Sequence, residues 1–174
     1  MIETDRITIR KFAGDDLPWL VEMRADPEVN RFLGGARLQN AGSISKRFEF
    51  YLECYQKFGF GMSAMLLRET GEPLGWSGLQ PLEESGEIEV GYGMARKFWR
   101  QGFGFECASA WLEHGFSTAG LERIVAVADE RNTGSWKIMK KCGMHYEKNV
   151  DHYGMDLVLY SISREEFFAK EVQK

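Results

Sequence analysis

The 174-residue sequence has little that would cross-link it or draw it to a charged polymer. Its three cysteines, Cys54, Cys107 and Cys142, stand far apart, in odd number and without a CxxC pair. That excludes a disulfide framework and a thiolate metal site, and it fits a reducing compartment. The three histidines form no HExxH or carboxylate-flanked spacing, so no metal is expected. Neither sign of charge dominates: 22 Lys and Arg against 26 Asp and Glu leave a net charge of −4. No overall field therefore gathers the chain onto nucleic acid or an anionic membrane, and neither is expected as a partner. No apolar run approaches membrane-spanning length. The opening "MIETDRITIRKF" alternates polar and apolar residues where a secretory leader would be basic and then apolar. A cytoplasmic protein is expected, without linkers, repeats or low-complexity segments.

What is present suits one globular domain over residues 1–174, since 44% hydrophobic and 28% charged residues can build a core. "DRITIRKF" places Ile7 and Ile9 on one face of a strand that ends at Gly14-Asp15-Asp16. Asp15 or Asp16 caps a helix over "DLPWLVEMRAD", and Asp26-Pro27 opens a short one ending near Gly34-Gly35. From Ser43 to Lys57, Ile44, Phe48, Tyr51, Leu52 and Tyr55 form a helical stripe. "FGMSAMLLRE", "PLGWSGLQPLE" and "GEIEVGYGMA" then read as three strands of an antiparallel meander, separated by "TGE" and "EESG". A helix with Ala108, Trp111, Leu112, Gly115 and Phe116 inward leads to the strand "ERIVAVADE" and to a short helix closed by Gly143. Two strands near 144–149 and 152–162 and a capping box at Ser163 and Glu166 end the chain. The order predicts an α/β fold, a mixed and mostly antiparallel sheet of about seven strands flanked by helices.

The stretch "FWRQGFGFECASAWLEHGF" puts Gly102 and Gly104 at a helix entrance. A helix start offers unpaired N–H groups, and glycines let an anion approach them without meeting a Cβ, so the turn reads as a pyrophosphate cradle with Arg96, Lys97 and Arg100 nearby. On this reading a side chain at Gly104 obstructs the ligand. A Walker loop is excluded, because Gly104-Phe105-Glu106 lacks its Lys and hydroxyl. A dinucleotide fingerprint stays open: Cys107 stands in place of its third small residue, although Asp129 and Glu130 follow a strand. A glycine turn without a ligand is the plainest alternative.

The segments "EIEVGYGMARKFWRQGFGFECASAWLEHGF", "ERIVAVADERNTGSWKIMKKCGM" and "HYGMDLVLYSISREEF" together resemble the GNAT acetyltransferase superfamily, and within it the RimJ/RimL-type branch, from about Arg6 to Phe167. The resemblance implies acetyl-CoA as cosubstrate, with no metal. It implies that Arg100, Gln101, Gly102, Phe103, Gly104 and Phe105 hold the pyrophosphate and that Gly91, Tyr92, Gly93 and Met94 line the pantetheine arm. Asn132 would bond the pantetheine amide, and Ser135 would lie near the sulfur and assist thiolate departure. The superfamily's Gln/Arg-x-x-Gly-x-Gly/Ala pattern has Trp99 at its first position here, so the cation must come from Arg100 or Lys97. A non-catalytic acyl-CoA-binding module is the alternative.

Acetyl transfer to an amine needs a neutral amine, an oxyanion donor and a proton for the thiolate. Alternation along "EIEVGYG" places Ile88, Val90 and Tyr92 on one face and Glu87, Glu89, Gly91 and Gly93 on the other, so Glu89 shares its face with two residues that leave room for a thioester. Glu89 is the candidate to orient or deprotonate the amine, and a backbone N–H near Val90 to Tyr92 the candidate oxyanion donor. Tyr146 and Tyr153 are available to protonate the thiolate, without an assigned place. Glu83, Glu84, Glu87 and Glu89 form an acidic stretch that favours a cationic acceptor, a protein N-terminus or a small amine. Monomer and homodimer are both compatible with the sequence.

Overall fold

The structure, a computed structural model, describes residues 1–34, 40–82 and 85–171. Its strands are β1 (Ile2–Glu3), β2 (Ile7–Lys11), β3 (Met62–Leu67), β4 (Pro73–Pro81), β5 (Ile88–Met94), β6 (Arg123–Ala128), β7 (His145–His152) and β8 (Met155–Ser163). Its helices are α1 (Leu17–Ala25), α2 (Pro27–Asn30), α3 (Ala41–Phe58), α4 (Phe103–Ser117), α5 (Thr133–Lys141) and α6 (Arg164–Glu171). The strands form one sheet in the order β1-β2-β3-β4-β5-β6-β8-β7. Every neighbouring pair is antiparallel except β5 and β6, which run parallel. The eighth strand is β1, whose two residues pair with Ile9 and Thr8 and are too short for a periodicity to reveal.

Each face of the sheet buries its own core. On one, α4 lays Cys107, Trp111, Leu112 and Phe116 against Ile7, Ile9, Met65, Leu74, Val90 and Ile124. Trp111 is fully buried and its indole N–H donates to Ser77 Oγ at 3.0 Å, so its one polar atom is satisfied. On the other face, Phe12, Leu20, Ile44, Phe48, Tyr51, Met62 and Trp76 bring α1 and α3 onto the sheet. A third, small cluster of Leu82, Val125 and Leu159 packs with Tyr153 at the far end of the sheet.

Several local readings change. Helix α3 begins at Ala41, because Asn40 Oδ1 accepts the Ser43 N–H at 3.0 Å, and its buried stripe is Ile44, Phe48, Tyr51 and Cys54, with Leu52 and Tyr55 half-buried. Asp16 gives α1 no side-chain cap. Its carboxylate takes Arg10 at 2.6 and 2.8 Å, the Ala13 N–H at 2.7 Å and the Trp19 indole at 2.9 Å. Burial opposes ionisation of that carboxylate, and the hydrogen bonds from Arg10, Ala13 and Trp19 outweigh it and hold the group below its ordinary range. The second helix, expected to end near Gly34-Gly35, stops at Asn30 and passes into a turn over 31–34, with Gly35 outside the described residues. The last hairpin turns at Tyr153-Gly154 and not near 150, since both residues take a positive φ, 59° and 66°, as a two-residue hairpin loop with this twist requires.

Replacing Trp111 by Ala removes the largest side chain of the α4 core and leaves Ser77 without its donor. Urea unfolding is expected to show a loss of about 3–5 kcal/mol, and a loss below about 1 kcal/mol would contradict this packing.

Candidate active site

The parallel pair β5 and β6 is joined at a single register, Glu89 opposite Val125, and beyond it the strands part. Strand β5 stays paired with β4 along its whole length. The Ala95 N–H donates to Leu74 O at 3.0 Å on that side, so alternation turns the N–H groups of Tyr92 and Met94 to the opposite edge, toward the gap. A cavity of about 220 Å³ occupies the gap. Gly91, Tyr92, Ala128, Asn132 and Ser135 line one end, and Arg24, Arg47, Tyr51, Trp76, Gln80, Glu89 and Tyr153 line the other.

At the first end Tyr92 reaches across to α5, its hydroxyl donating to Ser135 O at 3.1 Å and lying 3.3 Å from Ser135 Oγ. Burial pushes the Tyr92 phenol far above its usual value, so it remains a donor. Asn132 caps α5, its Oδ1 accepting the Ser135 N–H at 3.3 Å, while its amide NH₂ donates to no described residue. Asp129 is occupied by Arg131 at 2.6 Å. That hydrogen bond holds its carboxyl below the usual range.

The glycine turn enters α4 with Gly102 at φ 88° in the N-cap position, where no side chain caps the helix. The Glu106 N–H bonds back to Gly102 O at 3.1 Å, which leaves the first-turn N–H groups of Phe103, Gly104 and Phe105 without an intrahelical acceptor. Arg6 fixes the turn from outside. Its guanidinium donates to Gln101 O at 2.9 Å and Glu106 Oε2 at 2.8 Å, and stacks 4.3 Å over the Phe103 ring. Burial works against ionisation of Glu106, but the hydrogen bonds from Thr4 and Arg6 prevail and keep its carboxyl below the usual range. Of the nearby cations, Lys97 is paired with Glu72 and Arg96 lies 3.9 Å from Asp26. Arg100 is exposed, with φ 60°, and makes no ion pair among the described residues. Gln101 donates to Lys97 O at 2.7 Å, and Met94 O accepts the Trp99 indole N–H at 2.8 Å.

Two reasons given for the glycines are corrected. A Cβ on Gly104 would sit 2.6 Å from Ile138 Cδ1 on α5, so the missing side chain makes room for a neighbouring helix. On the Glu89 face, a Cβ on Gly91 would stand 2.5 Å from Met62 Cε and one on Gly93 would run into the Trp76 ring. The space over Gly91 and Gly93 is thus taken by Met62 and Trp76 from β3 and β4, and both side chains line the cavity together with Glu89.

Glu89 itself is 5% exposed. Gln80 Nε2 donates to its Oε1 at 2.6 Å and the Tyr153 hydroxyl to the same oxygen at 2.5 Å. Oε2 receives no hydrogen bond from a described residue. Burial raises the carboxyl above its ordinary value, against the pull of Tyr153, Gln80, Arg47 and His152. Glu87 does not join an acidic cluster: it lies 2.9 Å from Arg123, which also grips Glu147 at 2.6 Å, and Glu83 and Glu84 lie outside the described residues. Tyr146 is exposed and bonds Asn149 at 2.9 Å, remote from the cavity lining. The reading of residues alone missed Gln80 and Trp76, although a polar residue alternating with Trp76 and Gly78 along an otherwise apolar strand was a usable signal.

The two parallel strands part near a helix start, and comparison with known proteins identifies the family that this frame belongs to. The profile of the acetyltransferase (GNAT) domain matches residues 6–145, and the chain belongs to that family. It is 24% identical over 171 residues to the N-acetyltransferase p20 of Bacillus licheniformis, covering 94% of this chain and 96% of that one. An acetyltransferase structure from Agrobacterium tumefaciens superposes with a TM-score of 0.82 at 24% identity, over 92% of each chain. RimL, a ribosomal L7/L12 α-N-protein acetyltransferase solved with coenzyme A, superposes at 0.77 with 15% identity, over 92% of this chain and 95% of its own. The protein is an acetyl-CoA-dependent acetyltransferase. Among the described residues no cluster of His, Cys, Asp or Glu is placed to hold a metal, and no helix is long and apolar enough to cross a membrane.

The two accounts of Gly104 separate in one experiment. Gly104→Val is expected to cost about 1–3 kcal/mol by overpacking, read as a lower Tm, with part of the loss restored by adding Ile138→Val. A variant of unchanged Tm that no longer binds coenzyme A would return Gly104 to the ligand.

Proposed function

We propose that this acetyltransferase moves the acetyl group to a primary amine, with Glu89 Oε2 as the atom that takes the amine's proton. The observation that carries the reading is the convergence of both donors on Oε1, which leaves Oε2 as the acceptor at the point where β5 and β6 separate. The residues present fit the cosubstrate. Unpaired N–H groups of Phe103, Gly104 and Phe105, with Arg100 beside them, suit a pyrophosphate, and the free amide NH₂ of Asn132 suits a pantetheine carbonyl. Gln101 and Gly102 shape that turn, and Gly91, Tyr92, Gly93 and Met94 form the edge along which the arm would lie. When bound, acetyl-CoA supplies an electrophilic thioester carbonyl and a thiol leaving group.

The chain's own groups then divide the work. Glu89, as the anion, accepts a proton from the incoming ammonium and frees its lone pair. The Tyr92 N–H on the gap edge is placed to donate to a carbonyl oxygen that gains charge. The Ser135 hydroxyl, hydrogen-bonded to the Tyr92 hydroxyl, relays a proton to the departing sulfur as it takes up the second proton that the attacking nitrogen gives off in the tetrahedral intermediate. The acceptor in this reading is a protein N-terminal α-amino group or a small cationic amine. One buried carboxylate suits one ammonium group, and an α-amino group near pKa 7.7–8.0 gives up its proton more readily than a lysine-like amine near about 10.4.

Glu89→Gln is expected to lower kcat by about 10²- to 10⁴-fold while the Kd for acetyl-CoA stays within about twofold. The reading also fixes a pH dependence. Activity requires the Glu89 anion, so kcat/KM rises with pH through a value above the ordinary carboxylate pKa. For stability the sign runs the other way: a carboxyl raised in the folded state favours folding below its unfolded pKa, and that contribution fades as pH rises through the folded value. Glu89→Gln is therefore expected to match or exceed the parent Tm at neutral pH, with the difference closing in acid. Unchanged turnover in a folded variant removes Glu89 from the reaction.

A further inference from the structure

We infer that Tyr153 is a positioning residue, and that with Gln80 it clamps Oε1 of Glu89 and so turns Oε2 toward the acceptor amine. The inference rests on the reading of Glu89 as proton acceptor. Tyr153 lies 64 residues from Glu89 in sequence, at the tip of the β7–β8 hairpin, and its hydroxyl donates to Oε1 at 2.5 Å.

The tip is an unusual place for this side chain. The loop needs two residues of positive φ, and at 59° Tyr153 adopts a conformation that glycine or asparagine takes with less steric strain. The strained backbone is what aims the ring inward, between Arg47 Cζ at 5.3 Å and the His152 ring at 6.5 Å. Burial, reinforced by the neighbouring Glu89 charge, raises the Tyr153 phenol far above its usual value. The hydroxyl therefore keeps its proton and serves the carboxylate as a donor. Gln80 makes the same choice at visible cost: its NH₂ faces Glu89 while its buried carbonyl oxygen has no hydrogen-bond partner.

The groups that face Glu89 come from every element around it: Gln80 on β4, Arg47 on α3, His152 on β7 and Tyr153 at the hairpin tip. Arg47 and His152 act through charge, whereas Tyr153 and Gln80 are the ones that bond a particular oxygen. Two donors on one oxygen fix the plane of the carboxylate and lower the cost of ionising it in a buried site.

The test is a Tyr153→Phe variant of the full chain, read first without cosubstrate. Carboxyl ¹³C NMR titration of Glu89 is expected to move upward by about one pH unit or more when the donor is lost. With acetyl-CoA and an α-amino peptide, the acidic limb of kcat/KM moves up in step and the KM for acetyl-CoA stays within about twofold. Gln80→Met, which leaves the hairpin intact, is expected to shift both readouts in the same direction, and it serves if Tyr153→Phe folds poorly. A lower Tm with neither the titration nor the limb displaced means that Tyr153 only packs, and overturns the inference. If Glu89→Gln retains full turnover while the titration still moves, the clamp stands and the role of Glu89 in proton transfer falls.

Discussion

Two parallel strands that share one pair of residues and then separate set the terms for the rest of this molecule. An unpaired strand edge inside a sheet is costly, because its N–H and C=O groups have lost both water and partner. Here the cost is limited by neighbours that fill the breach without sealing it. Tyr92 spans it to α5 through Ser135, the Trp99 indole takes the carbonyl of Met94, and Glu89 and Val125 hold the vertex. What remains is an edge of main-chain donors beside a cavity, ready for an extended ligand that carries amides of its own.

The two cores explain why the breach stays open. Helix α4 is bound to one face by Trp111, Leu112 and Phe116, and its start is tied to the N-terminal strands by Arg6 and Thr4 through Glu106. The opposite face is filled at the same level by Met62 and Trp76, which use the space that Gly91 and Gly93 leave. Each wall is anchored to its own core, so closing the gap would require one packed layer to slide over the other. The glycine turn, the strand edge and Glu89 thus sit on elements that the two packed cores hold in place.

Charge is distributed with the same economy. Several ionised groups are tied in pairs: Asp129, on the cavity lining, to Arg131, and elsewhere Glu87 and Glu147 to Arg123 and Lys97 to Glu72. Exposed pairs of this kind add little stability. Glu89 differs because its hydrogen-bond donors are neutral groups on a single oxygen, and burial raises its carboxyl above the ordinary value.

Much of this was legible in the residues. The meander, the amphipathic helices and the Gly102 turn are local patterns, set by side-chain period and by backbone freedom within a few residues. The face that Glu89 occupies followed from strand alternation. Contacts between distant segments were not legible, because nothing in a local pattern encodes which surfaces will meet. The missing side chain of Gly104 reads as room for a ligand until α5 crosses above it, Glu87 reads as part of an acidic stretch until Arg123 arrives from β6, and Tyr153 is one of two tyrosines without an assigned place until the hairpin turn brings it across 64 residues to Glu89. The sequence by itself determined the elements and the chemistry they carry. Packing alone decided which oxygen of the Glu89 carboxylate takes both hydrogen bonds and which takes none from a described residue, since that depends on the meeting of three segments in space.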